Sequence, residues 1–318
     1  MSCVDFHKGL PDNGGMGKRE KLTRFAWLSI VTAVFTIFLK ATAYWLTGSV
    51  GLLSDALESG VNLATAVFAL LILTIAARPP DEEHAYGHSK AEYFAGGVEG
   101  GLIMAAALII AVTAVPRLIH PQPLEQLGLG LVVSVVAAAA NGLTAFILLR
   151  AGRQYRSLTL TADGRHLLTD VWTTGGVLLG LAVVYLTGWL RLDALIALAV
   201  AAQITYTGFG LLREAVNGLM DVALPDEEVA VVTAVLDSFV ERGIQYHALR
   251  TRRSGAQRFA SVHIQVPGDW SVQQGHALME EIEGALYGRL APITIITHLE
   301  PLEDPVSWKD IPLNREFG

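Results

Sequence analysis

Six apolar stretches dominate the chain, at roughly 24–46, 50–77, 93–117, 124–150, 159–187 and 192–213. Each is long enough to cross a hydrocarbon core, which takes about 20 residues of helix. In lipid only a helix of this kind satisfies its own backbone, so the pattern predicts six transmembrane helices. Short turns separate some of them: TGS at 47–49, PQP at 121–123 and TGW at 187–189. Arg117 and Arg191 are the only Arg or Lys in those three connections. On the other side, Lys18, Arg19, Lys21 and Arg24 precede the first span, Arg78 and Lys90 lie between spans two and three, and Arg150, Arg153 and Arg156 lie between spans four and five. Positive residues stay in the cytoplasm, so both termini are expected there.

After ALPDEE (223–228) the period changes. EEVAVVTAVLDSFVERG reads as an amphipathic helix whose N-terminus the acidic residues from Asp226 onward favour. QYHALRTRRSG and QRFASVHIQV read as two strands joined by a turn at Ser254-Gly255. SVQQGHALMEEIEGALYGRL is a second helix and ITIITHLEP a third strand. The expected organisation is a flexible N-terminus (1–20), a six-span all-α membrane domain (21–220), a cytoplasmic α+β domain (221–302) and a flexible tail (303–318).

Composition agrees. The 318 residues are 52% hydrophobic and 17% charged, where soluble domains carry about 25% charged residues. The net charge of −7 says little, because residues 221–318 hold much of the Asp and Glu. No basic, aromatic-interleaved stretch points to nucleic acid. Cys3 is the single cysteine, which excludes an intramolecular disulfide and a Cys-rich zinc site. The first apolar run is too long for a signal-peptide core and is read as a retained span.

The candidate chemistry lies where charge is expensive. His166 and Asp170 are four apart in span five, and Glu58 and Asn62 have the same spacing in span two. Residues so spaced share a helix face, so bringing the two spans together would converge a carboxylate, an amide oxygen, an imidazole and a second carboxylate. That mixture suits a small divalent cation. Asp55, three residues before Glu58, is expected as a neighbour rather than a ligand; Lys40, deep in span one, is expected to snorkel or to pair with a carboxylate. Between spans two and three, Asp81, His84 and His88 have a D-x2-H-x3-H spacing that would put all three on one side of a helical turn. In the last domain, alternation puts Val262, Ile264 and Val266 on the buried face and Ser261, His263 and Gln265 on the other. His298 and Glu300 share a face of the third strand, with His247 on the first strand and His276 on the second helix. Four histidines and a carboxylate near one sheet could form a binuclear site.

SVGLLSDALESGVN, ADGRHLLTD, DEEHAYGHSKAE, LMDVALPDEE and HALRTRRSG, in this order on a six-span chain, resemble the cation diffusion facilitator family over about residues 20–302, and its bacterial iron/zinc efflux members in particular. The resemblance implies a homodimeric, proton-coupled exporter of divalent metals in the inner (plasma) membrane, with a ferredoxin-like, metallochaperone-like cytoplasmic domain. It implies a transport site at Glu58, Asn62, His166 and Asp170, a loop site at Asp81, His84 and His88, and a cytoplasmic site at His247, His263, His276, His298 and Glu300 joining two protomers. Lys90 and Asp221 match a charge pair that locks the protomers near the membrane surface. The family's span-two ligands are usually His or Asp followed by Asp, so Glu58 and Asn62 depart from it, as does Leu299 at a position often polar.

Metal binding needs His166 neutral and the carboxylates ionised, which makes His166 and Asp170 the expected proton carriers. One imidazole with three oxygens points to zinc, iron or manganese, with no organic cofactor. No catalytic residues are expected, because the chain has no HExxH and no evident general base beside its ligand pairs. The alternative is a membrane-anchored metal sensor or scaffold that does not transport, for which the neutral Asn62 gives some footing.

Overall fold

The structure, a computed structural model, describes residues 15–155 and 158–309. Cys3, Arg156 and the last part of the expected tail lie outside the described residues. Six long helices come first: α1 (Gly15–Thr47), α2 (Val50–Ala76), α3 (Ala91–Ile119), α4 (Leu127–Tyr155), α5 (Leu158–Thr187) and α6 (Arg191–Leu219). All six contain a window long and apolar enough to cross a membrane. Helix α1 starts at Gly15, inside the stretch expected to be a flexible terminus. Helix α4 begins three residues later than its apolar run, since Gln126 takes a left-handed φ of 40°.

The chain divides into two compact units. The first holds the residues up to Ala66 and Gly101–Gly208. Here α4 packs against α1 and α5, and small residues set the spacing, as they do between membrane helices. A Cβ on Gly164 would stand 2.9 Å from the Leu149 side chain and 3.2 Å from the Ala145 carbonyl oxygen. Trp45, Val112, Trp172 and Leu186 point outward, as lipid-facing side chains do. The start of α2 is fixed by Asp193 of α6, a buried carboxylate. It accepts hydrogen bonds from Ser49 Oγ (2.6 Å), Val50 N (2.9 Å) and Gly51 N (3.0 Å). The last two are amides a helix start leaves unmet, so one side chain caps α2 and ties it to α6.

The second unit holds Val67–Gly100 and the residues from Phe209 onward. Its C-terminal part runs α7 (Asp226–Val240), β1 (Gln245–Ser254), β2 (Gln257–Val266), α8 (Val272–Leu290) and β3 (Ile293–Pro301). Strand order is β1-β2-β3, with β1 and β2 antiparallel and β2 and β3 parallel. Helices α7 and α8 cover one face, burying Val235, Leu236, Leu278, Ile282 and Leu286 against Val262, Ile264 and Val266. Ser271 opens α8 with a capping box to Gln274. The other face carries the odd-numbered residues of β2, as alternation predicts.

Candidate metal centres

The middle of the first unit is organised around one buried ion pair. Lys40 of α1 and Asp55 of α2 are 1% and 3% exposed, with Nζ 2.8 Å from Oδ1. Lys40 also donates to Ser59 Oγ at 2.8 Å. Thr174 of α5 donates to both Asp55 oxygens at 2.9 and 3.1 Å. A buried pair is tolerable when its remaining valences are met in this way. Lys40 therefore pairs rather than snorkels, and Asp55 is committed to it.

Two cavities open beside this network. One of about 310 Å³ is lined by Asp55, Glu58, Thr173 and Gln203 among others. A second of about 300 Å³ is lined by Ser59, Asn62, Asn141, Asp163, His166 and Asp170. Asn62, His166 and Asp170 line one cavity and Glu58 lines the other, and Glu58 still lies close enough to Asp170 and His166 to interact with their charges. Residues four apart on a helix differ by about 40° in direction, so one helix face can border both cavities. Asn141 of α4 was not anticipated from the sequence. Its sequence signal is a lone amide in the apolar run VVAAAANGLTAF, which carries no charge to mark it.

In the second unit the loop after α2 brings Asp81, His84 and His88 together, with ligand atoms within 4.8 Å of one another. It does so without the expected helical turn. Asp81 Oδ1 accepts from the backbone of Glu83 (3.1 Å) and His84 (2.7 Å), and Gly87 at φ 82° completes the turn. His84 Nδ1 lies 3.2 Å from Asp81 Oδ1, and His88 Nε2 lies 3.3 Å from Oδ2. The His84 amide holds the Asp81 carboxyl below its ordinary value, and the His84 and His88 side chains add to this. Lys90 Nζ stands 2.9 Å from Asp221, which Arg252 also reaches at 3.0 Å. The Lys90 and Arg252 hydrogen bonds hold Asp221 below its ordinary value.

The sheet aligns the cytoplasmic candidates. His247 pairs with His263 and His263 with His298, giving a row of three histidines across three strands. Glu300 lies two residues beyond His298, opposite Gln265. His247 Nε2 and His263 Nδ1 are 3.2 Å apart, and each is 3.2 Å from a Glu300 oxygen. His247 meets Oε2 and His263 meets Oε1, so the two carboxylate oxygens face one imidazole each, and the ligand atoms of all three residues lie within 4.8 Å of one another, close enough to share one metal ion. His298 Nε2 is 3.4 Å from Glu300 but 63% exposed. His276 is not part of the group: α8 covers the opposite, apolar face, and His276 stands exposed, 3.9 Å from Glu280. Gln265, fully buried on the cluster's face, has no hydrogen-bond partner for either amide atom among the described residues. The stretch after Pro301, expected to be flexible, instead forms a 3-10 turn at Pro305–Trp308. It sets Trp308 5.6 Å from the His247 ring.

The family model for the cation efflux transmembrane domain matches residues 26–220, and that for the cation efflux protein cytoplasmic domain matches residues 224–302. An uncharacterised transporter of Synechocystis sp., sll1263, is 49% identical over 299 residues, spanning 92% of this chain and 96% of that protein. The cation-efflux pump FieF of Citrobacter koseri is 33% identical over 281 residues, spanning 88% and 93%. The metal-bound C-terminal domain of the CzcD transporter from Thermotoga maritima is 29% identical over 26% of this chain and 99% of that domain, with a TM-score of 0.24. The chain belongs to the cation diffusion facilitator family of cation-efflux transporters, with six membrane-spanning helices followed by an α+β domain.

Proposed function

We propose that the protein exports a divalent transition-metal ion (zinc, iron or manganese) in exchange for protons, by alternating access at the middle of its six-helix domain. The observation that carries this reading is the cavity that gathers Asn62, His166 and Asp170 beside a fully satisfied ion pair. Such groups are costly in a membrane and serve pathways and proton relays. In this reading His166 and Asp170 bind the ion and exchange it for protons, since metal and proton compete for the same atoms. Asn62 adds a neutral oxygen, and Glu58 serves the other cavity one turn away.

The peripheral groups are assigned by the same chemistry. His247, His263, His298 and Glu300 hold a regulatory ion that tightens a homodimer, and Asp81, His84 and His88 hold another. His276, left apart by the fold, joins the cluster only if the domain rearranges. Lys90 and Asp221 brace the region near the membrane surface, and both termini face the cytoplasm at the inner membrane. The domain limits follow as 21–220 and 221–302.

The test is flux of zinc, manganese, ferrous iron and cobalt into liposomes carrying the purified protein, with and without a pH gradient. Gradient-driven flux of one metal, lost in Asp170→Ala, is expected. Absence of flux for every metal in folded protein would replace the exporter with the membrane-anchored sensor or scaffold.

A further inference from the structure

The cavity lined by His166 and Asp170 receives an oxygen from a third helix. Asn141 of α4 is 1% exposed and lines this cavity with Ser59, Asn62, Asp163, His166 and Asp170. Its Oδ1 has no hydrogen-bond partner among the described residues. Buried polar atoms are ordinarily paired, and an acceptor left unmet is costly. One turn further along α4, Thr144 is equally buried but is bonded to Thr32 at 2.9 Å. Lys40, Asp55, Ser59 and Thr174 likewise satisfy one another. Asn141 is therefore a buried amide beside Asn62 that keeps its oxygen available.

We propose that Asn141 is a specificity-determining ligand of the transported ion, its amide oxygen joining Asn62, His166 and Asp170. This inference rests on the mid-membrane site proposed above. The donor set becomes one imidazole, one carboxylate and two neutral amide oxygens, drawn from α2, α4 and α5. The donors themselves carry one negative charge, that of Asp170, while Asp163 stands on the cavity wall outside the donor set. Binding is correspondingly weaker than in a carboxylate-rich cage, and the oxygen majority favours ions that accept hard ligands, manganese among them. Helix α4 thereby acquires a direct part in ion selection.

The experiment compares binding of cobalt, zinc and manganese to the full-length protein in detergent, by calorimetry and by the visible absorption of bound cobalt. The signal lost in Asp170→Ala defines the mid-membrane site and separates it from the peripheral ones. Asn141→Leu keeps the side-chain volume and removes the oxygen. It should leave the thermal transition of the metal-free protein unchanged or raised, and weaken binding at this site about ten- to hundredfold. The loss should be larger for manganese than for zinc. Asn141→Asp restores an oxygen at the same reach and should return affinity to the wild-type level or beyond. If Asp170→Ala removes no signal, the mid-membrane site falls, and Asn141 with it. If the signal exists and Asn141→Leu retains it, or Asn141→Asp fails to recover it, the site stands and Asn141 is only a packing residue.

Discussion

The sheet cluster and the cavity of Asn62, His166 and Asp170 use the same kinds of side chain and arrange them differently. On the sheet, His247 and His263 stand 3.2 Å apart and each meets one oxygen of Glu300 at 3.2 Å, so the three residues gather their ligand atoms closely. In the six-helix unit the donors are shared between two cavities, and Asp55, the carboxylate between them, is already held by Lys40. A β-ladder fixes its residues through backbone hydrogen bonds, so ligands in one row cannot drift. Helices packed on glycine and alanine can shift by small amounts without losing their own hydrogen bonds. The first arrangement suits an ion that stays, and the second an ion that must be let go.

The contrast can be broken most strongly at Lys40. Lys40→Met leaves Asp55 charged and buried without its cation, and should destabilise the six-helix unit by about 3–5 kcal/mol. Thermal unfolding of the detergent-solubilised protein reads this, and a loss under about 1 kcal/mol would show that the pair holds little together. At the sheet, His263→Ala should weaken zinc binding by about a hundredfold at the cytoplasmic cluster while leaving the metal-free domain folded. Calorimetry that finds the same affinity in the variant would remove the cluster from the account. Gln265→Leu replaces a buried amide lacking partners, and should stabilise the metal-free protein by up to about 1 kcal/mol, measured as a raised unfolding temperature. A destabilised variant would mean that Gln265 has bonding the geometry does not reveal.

The smallest effect concerns pH. Asp221 is held below its ordinary value by Lys90 and then Arg252, so its ionised form is favoured by folding. The stabilisation is complete above about pH 5 and is lost only as pH falls below about 4, through the lowered value. The carboxylate is about half exposed, so the contribution is below about 1 kcal/mol. Wild type and Asp221→Asn should therefore differ slightly at pH 7 and converge near pH 3. A difference that grew on acidification would overturn the sign.

Periodicity made the six helices and the order of the last domain legible, because both depend on local pattern. Alternation alone also puts His263 and Gln265 on one face. Alignment of His247 with His298 across β2 was not legible, since it depends on strand register and on an irregularity between His247 and Arg250, where Ala248 takes φ 50°. The spacing of Asp81, His84 and His88 suggested a helical turn, but backbone bonds to the Asp81 side chain built a different one. Glu58 shows the limit of spacing on a helix: i and i+4 share a face, yet a face can border two cavities. Asn141 escaped because it is uncharged, and only its unmet oxygen draws attention to it. Trp308 escaped because a short polar tail carries no periodicity.

Asp193 has a mechanical meaning as well as a capping one. Its carboxylate grips the first residues of α2 at three atoms, and it is itself rooted in the first turn of α6. A rod clamped at its tip can swing but cannot slide. If α2 tilts relative to α6 in the proposed transport cycle, the tilt should turn about that clamp. Such a tilt would leave Val50 almost in place and displace the residues further along the helix, Glu58 and Asn62 included.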